Sequence, residues 1–120
     1  MVMAMPKALG ELAKLDRNVH EPVRLAILTA LTHCASADFT FLVRALGLTA
    51  GNLNTHLATL EQAGLIRIDK QIRGKTARTT VSLTDAGAQA ITCHWQQLDA
   101  LRDTAASVLP GLLRIGEEPA

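Results

Sequence analysis

The chain has 120 residues, enough for one domain, and 48% hydrophobic residues, enough for a buried core. Twelve Lys and Arg against eleven Asp and Glu leave a net charge of +1, so total charge points to no partner. No run of 18 apolar residues occurs, which excludes a membrane-spanning helix, and two Phe and one Trp are too few for a base-stacking platform on single strands. The opening MVMAMPKALG lacks a basic stretch followed by a long apolar one, so no signal peptide is expected and the cytoplasm is the default location.

Residues 1–6 carry no pattern. Residues 7–15 place Leu9, Leu12 and Leu15 on one face of a short helix, which Asp16, Arg17 and Asn18 end. His20-Glu21-Pro22 reads as the next helix start, since Pro suits the first turn and Glu the positive end of the dipole. Val23, Ile27, Leu28 and Leu31 mark its apolar face, and it fades at residues 34–36. Asp38 is the expected N-cap of a helix over Phe39–Leu46, with Phe39, Leu42, Val43 and Leu46 inward and Gly47 at the C-terminal stop. Thr49 caps a further helix over residues 50–63, which buries Leu53, Leu57 and Leu60 and ends at Gly64. Two helices joined by a turn of three or four residues form a helix-turn-helix unit.

The second of these helices turns Gly51, Asn52, Asn54, Thr55, Ala58, Thr59 and Gln62 outward, with Glu61 as its one charge. Small neutral side chains let a helix approach base edges, where Asn, Gln and Thr hydrogen-bond. An uncharged solvent face is the equal alternative. Residues 65–70 and 78–83 then alternate as strands, and residues 71–77, with Gly74 between Arg73 and Lys75, join them as a hairpin. The tip lacks large apolar residues on this reading and protrudes. Five of the twelve basic residues fall within residues 67–78, against Asp69 alone. Such a patch makes a field that a polyanion feels, although a solvated hairpin face is the commoner use of one.

Thr84 caps the last helix, expected from Asp85 to about Ser107, with an apolar stripe of Ile91, Trp95, Leu98, Leu101 and Ala105. Apolar residues continue past Pro110. This exceeds what the core needs, and a second copy of the chain is the economical cover, in preference to the tail folding back.

The order helix, helix, helix, strand, basic turn, strand, helix resembles the winged helix-turn-helix DNA-binding transcriptional regulators of the MarR and ArsR type. The resemblance is carried by Leu46-Gly47-Leu48-Thr49, Gly51-Asn52-Leu53, His56-Leu57, Leu60 and Ala63-Gly64-Leu65, followed by Leu83-Thr84 and Gly87. It covers residues 19–91. It implies a mainly α fold with a small β-hairpin, and extra N- and C-terminal dimerisation helices. Residues 1–18 form an arm, 19–91 the winged-helix core, and 92–120 a dimerisation helix and tail of one domain. The resemblance makes residues 49–63 the recognition helix, with Thr49 at its start and Asn52, Asn54, Thr55 and Thr59 in the major groove of double-stranded DNA. Residues 69–78 become the wing, whose Arg73, Lys75 and Arg78 grip backbone or minor groove. A homodimer through Leu9, Leu12, Trp95, Leu98, Leu101, Leu109 and Leu112 follows. Ala50 and Ala58 depart from the pattern, Ala58 standing where relatives carry a cation.

His56 is expected to pack beside Leu57 rather than reach DNA. His33-Cys34 and Cys93-His94 offer zinc donors, but neighbours on a helix point about 100° apart, so no metal or other cofactor is expected. Buried apolar cysteine is the default for both thiols, and no basic cluster stands near to activate them. Asp99 and Asp103 read as solvated surface beside Arg102. No phosphate loop, metalloprotease motif, nucleophile elbow or carboxylate pair points to an enzyme. The expected function is a dimeric DNA-binding regulator. A protein-interaction module and a ligand- or metal-gated sensor with a small-molecule effector are the rivals.

Overall fold

The computed structural model describes residues 15–117, with side chains through Ser107. The order is α1 (Pro22–Leu31), β1 (Ala37–Asp38), α2 (Phe39–Leu46), α3 (Ala50–Gln62), β2 (Ile66–Arg73), β3 (Thr76–Leu83) and α4 (Asp85–Glu117). The chain divides into two units. Asp16–Thr92 is one, and α4 contributes to the second from Cys93 onward. The expected short helix at residues 7–15, with Leu9 and Leu12, lies outside the described residues up to Leu15.

Local chemistry sets each boundary. Pro22 stands at the first turn of α1, and the Glu21 carboxylate accepts from the Arg24 backbone N–H at 2.8 Å. Helix α2 stops at Gly47, where φ of 65° suits a residue without Cβ. Thr49 Oγ1 accepts from the Asn52 N–H at 3.1 Å, a cap worth about 1 kcal/mol. Gly64, at φ 78°, ends the chain's run through α3 and turns it into β2.

Leu53, Leu57 and Leu60 of α3 are all buried, together with Ile27, Leu28 and Leu31 of α1, Leu42 of α2, Ile66 and Val81 of the sheet, and Ile91 of α4. Each of these side chains stabilises the fold by roughly 1.5–3 kcal/mol through burial. The three-residue turn Gly47-Leu48-Thr49 sets α3 across α2, with Leu48 packed against the core.

The sheet has three antiparallel strands in the order β1-β3-β2. Two features differ from the sequence expectation. Strand β1 was not legible, since two residues carry no alternation. The hairpin ladder also runs out to Arg73 opposite Thr76, which leaves only Gly74-Lys75 as the turn instead of residues 71–77. Gly74 supplies φ of 60° for that tight reversal.

The last helix is longer than the expected end near Ser107. It continues to Glu117 through Pro110, which removes one helical N–H without ending the run. Its start is tied to the core by the Leu-Thr-x-x-Gly segment. Thr84 Oγ1 donates to the Gly64 carbonyl at 2.7 Å and accepts from the Gly87 N–H at 3.0 Å. A Cβ on Gly87 would collide with the Leu65 carbonyl oxygen. Gly87→Ala is therefore expected to lose about 1–3 kcal/mol or more in urea unfolding. Gly51→Ala, in open space within α3, should gain about 0.5–1 kcal/mol.

Candidate nucleic-acid interface

Burial of the Leu53, Leu57 and Leu60 stripe leaves the opposite side of α3 to solvent. Gly51, Asn52, Asn54, Thr55, Ala58 and Gln62 are exposed, and Thr59 is half-buried. Thr49 is exposed too, and its hydroxyl oxygen already accepts the Asn52 N–H of the cap. Thr55 Oγ1 donates to the Gly51 carbonyl at 3.1 Å, and Thr59 Oγ1 to the Thr55 carbonyl at 3.2 Å. Both threonines thus turn their hydroxyl protons inward along the helix.

The ladder register sorts the hairpin into two faces, because directly paired residues share a side. Ile68–Val81 lies on the core, and Lys70–Thr79 and Ile72–Ala77 continue that face outward. The other face carries Arg67–Ser82, Asp69–Thr80, Gln71–Arg78 and Arg73–Thr76. A cleft of about 460 Å³ opens between α3 and the first face, lined by Phe39, Asn54, Leu57, Ala58, Glu61, Ile68, Lys70 and Thr79. Lys70, absent from the expected contact residues, thus lines the same cleft as Asn54. The signal was its place in the alternation that also holds Ile66 and Ile68.

Arg73 and Lys75 are exposed at the tip. Arg78 is not equivalent to them. Its Nε donates to Asp38 Oδ1 at 2.8 Å and its Nη2 to Asp38 Oδ2 at 3.3 Å. That hydrogen bond, and then the carboxylate's charge, raise the guanidinium's pKa above its ordinary value. Asp38 occupies the expected N-cap position of α2, yet makes no side-chain cap bond there; its carboxylate is on Arg78 instead. The tip is also not free of large apolar side chains, because Ile72 is 78% exposed. Strand pairing carries it beyond the reach of the core.

A model of the winged helix DNA-binding domain matches residues 23–101. The chain belongs to that family. An uncharacterized protein of Methanocaldococcus jannaschii is 35% identical over 66 residues, 55% of this chain and 68% of that one. The solved structure of a transcriptional regulator homologue from Pyrococcus horikoshii OT3 is 34% identical with a TM-score of 0.75, covering 82% of this chain and 96% of that chain. A transcriptional regulator of the MarR family from Enterococcus faecalis V583 superposes with a TM-score of 0.60 at 22% identity, over 86% and 96% of the two chains. The winged-helix protein is thus a DNA-binding transcriptional regulator of MarR-like fold, a family of regulators and not of enzymes. Helices α2 and α3 are its helix-turn-helix, and β2–β3 its wing. No helix among the described residues is long and apolar enough to cross a membrane.

His56 of α3 is largely turned inward, as expected from its place in the motif. Its Nδ1 lies 3.4 Å from Arg24 Nη1 and 3.6 Å from Glu21 Oε2. Arg24 also donates from Nε to the Asn18 carbonyl at 2.9 Å and from Nη2 to the Arg17 carbonyl at 3.1 Å. This cluster pins the start of α1 to α3. The cysteines depart from expectation: Cys34 and Cys93 are both exposed, because one follows the last turn of α1 and the other lies off the buried stripe of α4. No group of three or more His, Cys, Asp or Glu among the described residues is arranged to hold a metal.

In the second unit, Trp95 is 42% exposed and Leu98 and Leu101 are half-buried. The side chains of Leu109 and Leu112 lie outside the described ones. His94 and Trp95 meet edge to face, with centroids 6.1 Å apart. Asp99 is exposed and pairs with Arg102 at 3.1 Å, and Asp103 is exposed.

Partial burial pushes the Glu21 carboxyl up, but the Arg24 and Val23 N–H groups, then the charges of His56 and Arg24, bring it net below its ordinary 4.5. A depressed carboxyl contributes stability that is complete above 4.5 and lost as pH falls through the lower folded value. Glu21→Gln is expected to lower stability at neutral pH and to flatten the acid limb of a stability-against-pH curve.

Proposed function

We propose that this regulator binds double-stranded DNA sequence-specifically as a homodimer in the cytoplasm. Each α3 enters the major groove through Asn52, Asn54, Thr55 and Thr59, with Thr49 at its leading end. Each wing lies along the flanking backbone or minor groove through Arg73 and Lys75, and Lys70 faces the backbone ridge that fills the cleft. Arg78 contributes less, because Asp38 already neutralises it. The observation that carries this reading is the juxtaposition of an exposed, nearly uncharged helix face with a hairpin that has no acidic residue from Lys70 to Leu83. The neutral face reads and the cations hold, which is the division of labour between base and phosphate contacts.

Affinity for mixed-sequence duplex should fall steeply with salt. Replacing Arg73 and Lys75 together with Ala is expected to reduce the slope of log K against log salt by about 2. Arg78→Ala should change it less than either single replacement. An unchanged slope in the double variant would remove the wing from the phosphate contacts.

We place the dimer contact on the second unit, with Leu9, Leu12, Trp95, Leu98, Leu101, Leu109 and Leu112 as its apolar surface. Half-sites then sit about one helical turn, 10 bp, apart. Leu98→Glu with Leu101→Glu is expected to convert the dimer to monomer in analytical ultracentrifugation and to weaken operator binding at least tenfold, while leaving the secondary structure of the winged-helix unit intact by circular dichroism. A variant that stays dimeric would move the interface elsewhere.

A further inference from the structure

Resting on the proposed groove-reading role of α3, we infer that the half-site this protein recognises is made of A·T pairs, because the outward face of α3 joins carboxamides and methyl groups to threonines whose hydroxyl protons are already spent.

The major-groove edge of guanine offers only acceptors, N7 and O6, so reading it takes donors, usually Arg or Lys. Helix α3, AGNLNTHLATLEQ, contains neither. A threonine hydroxyl has one proton to give. Thr55 gives its proton to the Gly51 carbonyl and Thr59 to the Thr55 carbonyl. What these residues present outward is a γ-methyl and a lone pair. The exposed carboxamides of Asn52 and Asn54 carry an acceptor and a donor side by side, which matches the N6–H and N7 pair of adenine. The methyls of Ala58 and Thr55 match the 5-methyl of thymine, the other member of the same base pair. The helix's one carboxylate, Glu61, lines the cleft with Lys70 near the far end of the helix, away from the leading turns. The carboxamides and methyls of this face therefore match adenine and thymine, the threonine lone pairs accept from an adenine or a cytosine amino group alike, and the helix has no Arg or Lys to supply the paired donors that guanine needs.

Duplexes selected from a randomised pool by the full-length protein test this. Selected half-sites are expected to hold A·T at their central positions. Replacing thymine by uracil there deletes the methyl without altering base pairing, and replacing adenine by 7-deazaadenine deletes N7. Each is expected to weaken binding, the adenine change by about five- to a hundred-fold. Methylation of guanine N7 at any G·C pair that flanks those central positions should leave binding intact. Asn54→Arg is expected to shift one position per half-site from adenine to guanine. Guanine at the central positions, or binding blocked by N7 methylation, overturns the inference. Binding to duplex with no base preference also overturns it while sparing the DNA-binding role, and failure to bind any duplex overturns both.

Discussion

The proposed contact with DNA depends on which side of α3 is buried. Leu53, Leu57 and Leu60 lock that helix against α1, α2 and the sheet, and rotation about its axis would expose leucines at roughly 1.5–3 kcal/mol apiece. The rotation is therefore fixed, and with it the identity of every outward residue. Thr49 fixes where the helix begins and Gly64 where it ends. His56, held between Arg24 and Glu21, adds a polar clasp on the inner side. The base-reading role proposed for this face needs such rigidity, since a base contact loses its meaning if the helix can roll.

The same constraint places the wing. Gly64 reverses the chain directly into β2, so the hairpin stands beside α3 with its register pinned by the Ile68–Val81 pair on the core. Beyond that pair the ladder leaves the core and carries cations and Ile72 into solvent. The wing is two-sided: Lys70 looks toward α3, whereas Arg73 and Arg78 share the opposite face. Asp38, at the end of β1, holds Arg78 back from that set. The third strand thus does more than widen the sheet, because it spends one of the hairpin's cations on an internal ion pair.

Much of this was legible in the sequence. Helices α2 and α3 follow from leucine spacing, Thr49, Gly47 and Gly64, all of which act through their nearest neighbours in the chain. What escaped was set by distant partners. Strand β1 exists only because Ala37 and Asp38 meet Val81 and Thr80. The use of Asp38 on Arg78 depends on a residue 40 positions away. The hairpin's span is legible but not the extent of its pairing, because residues near a Gly read as loop, whereas the ladder continues through Ile72 to Arg73. The cysteines were expected inside on their general habit, but Cys34 falls where α1 has already ended. Gly87 was visible as part of a motif; its reason, the Leu65 carbonyl beneath it, is a tertiary contact.

The central claim is that the face of α3 opposite its leucine stripe meets duplex DNA together with the wing. Backbone amide shift mapping on the isotope-labelled protein, titrated with a short operator-like duplex, tests it most directly. The account predicts that the large shifts gather in the first three turns of α3 and at residues 70–78, with the amides of α1 little changed. Shifts confined to α1 or α4, with α3 silent under saturating duplex, would contradict it.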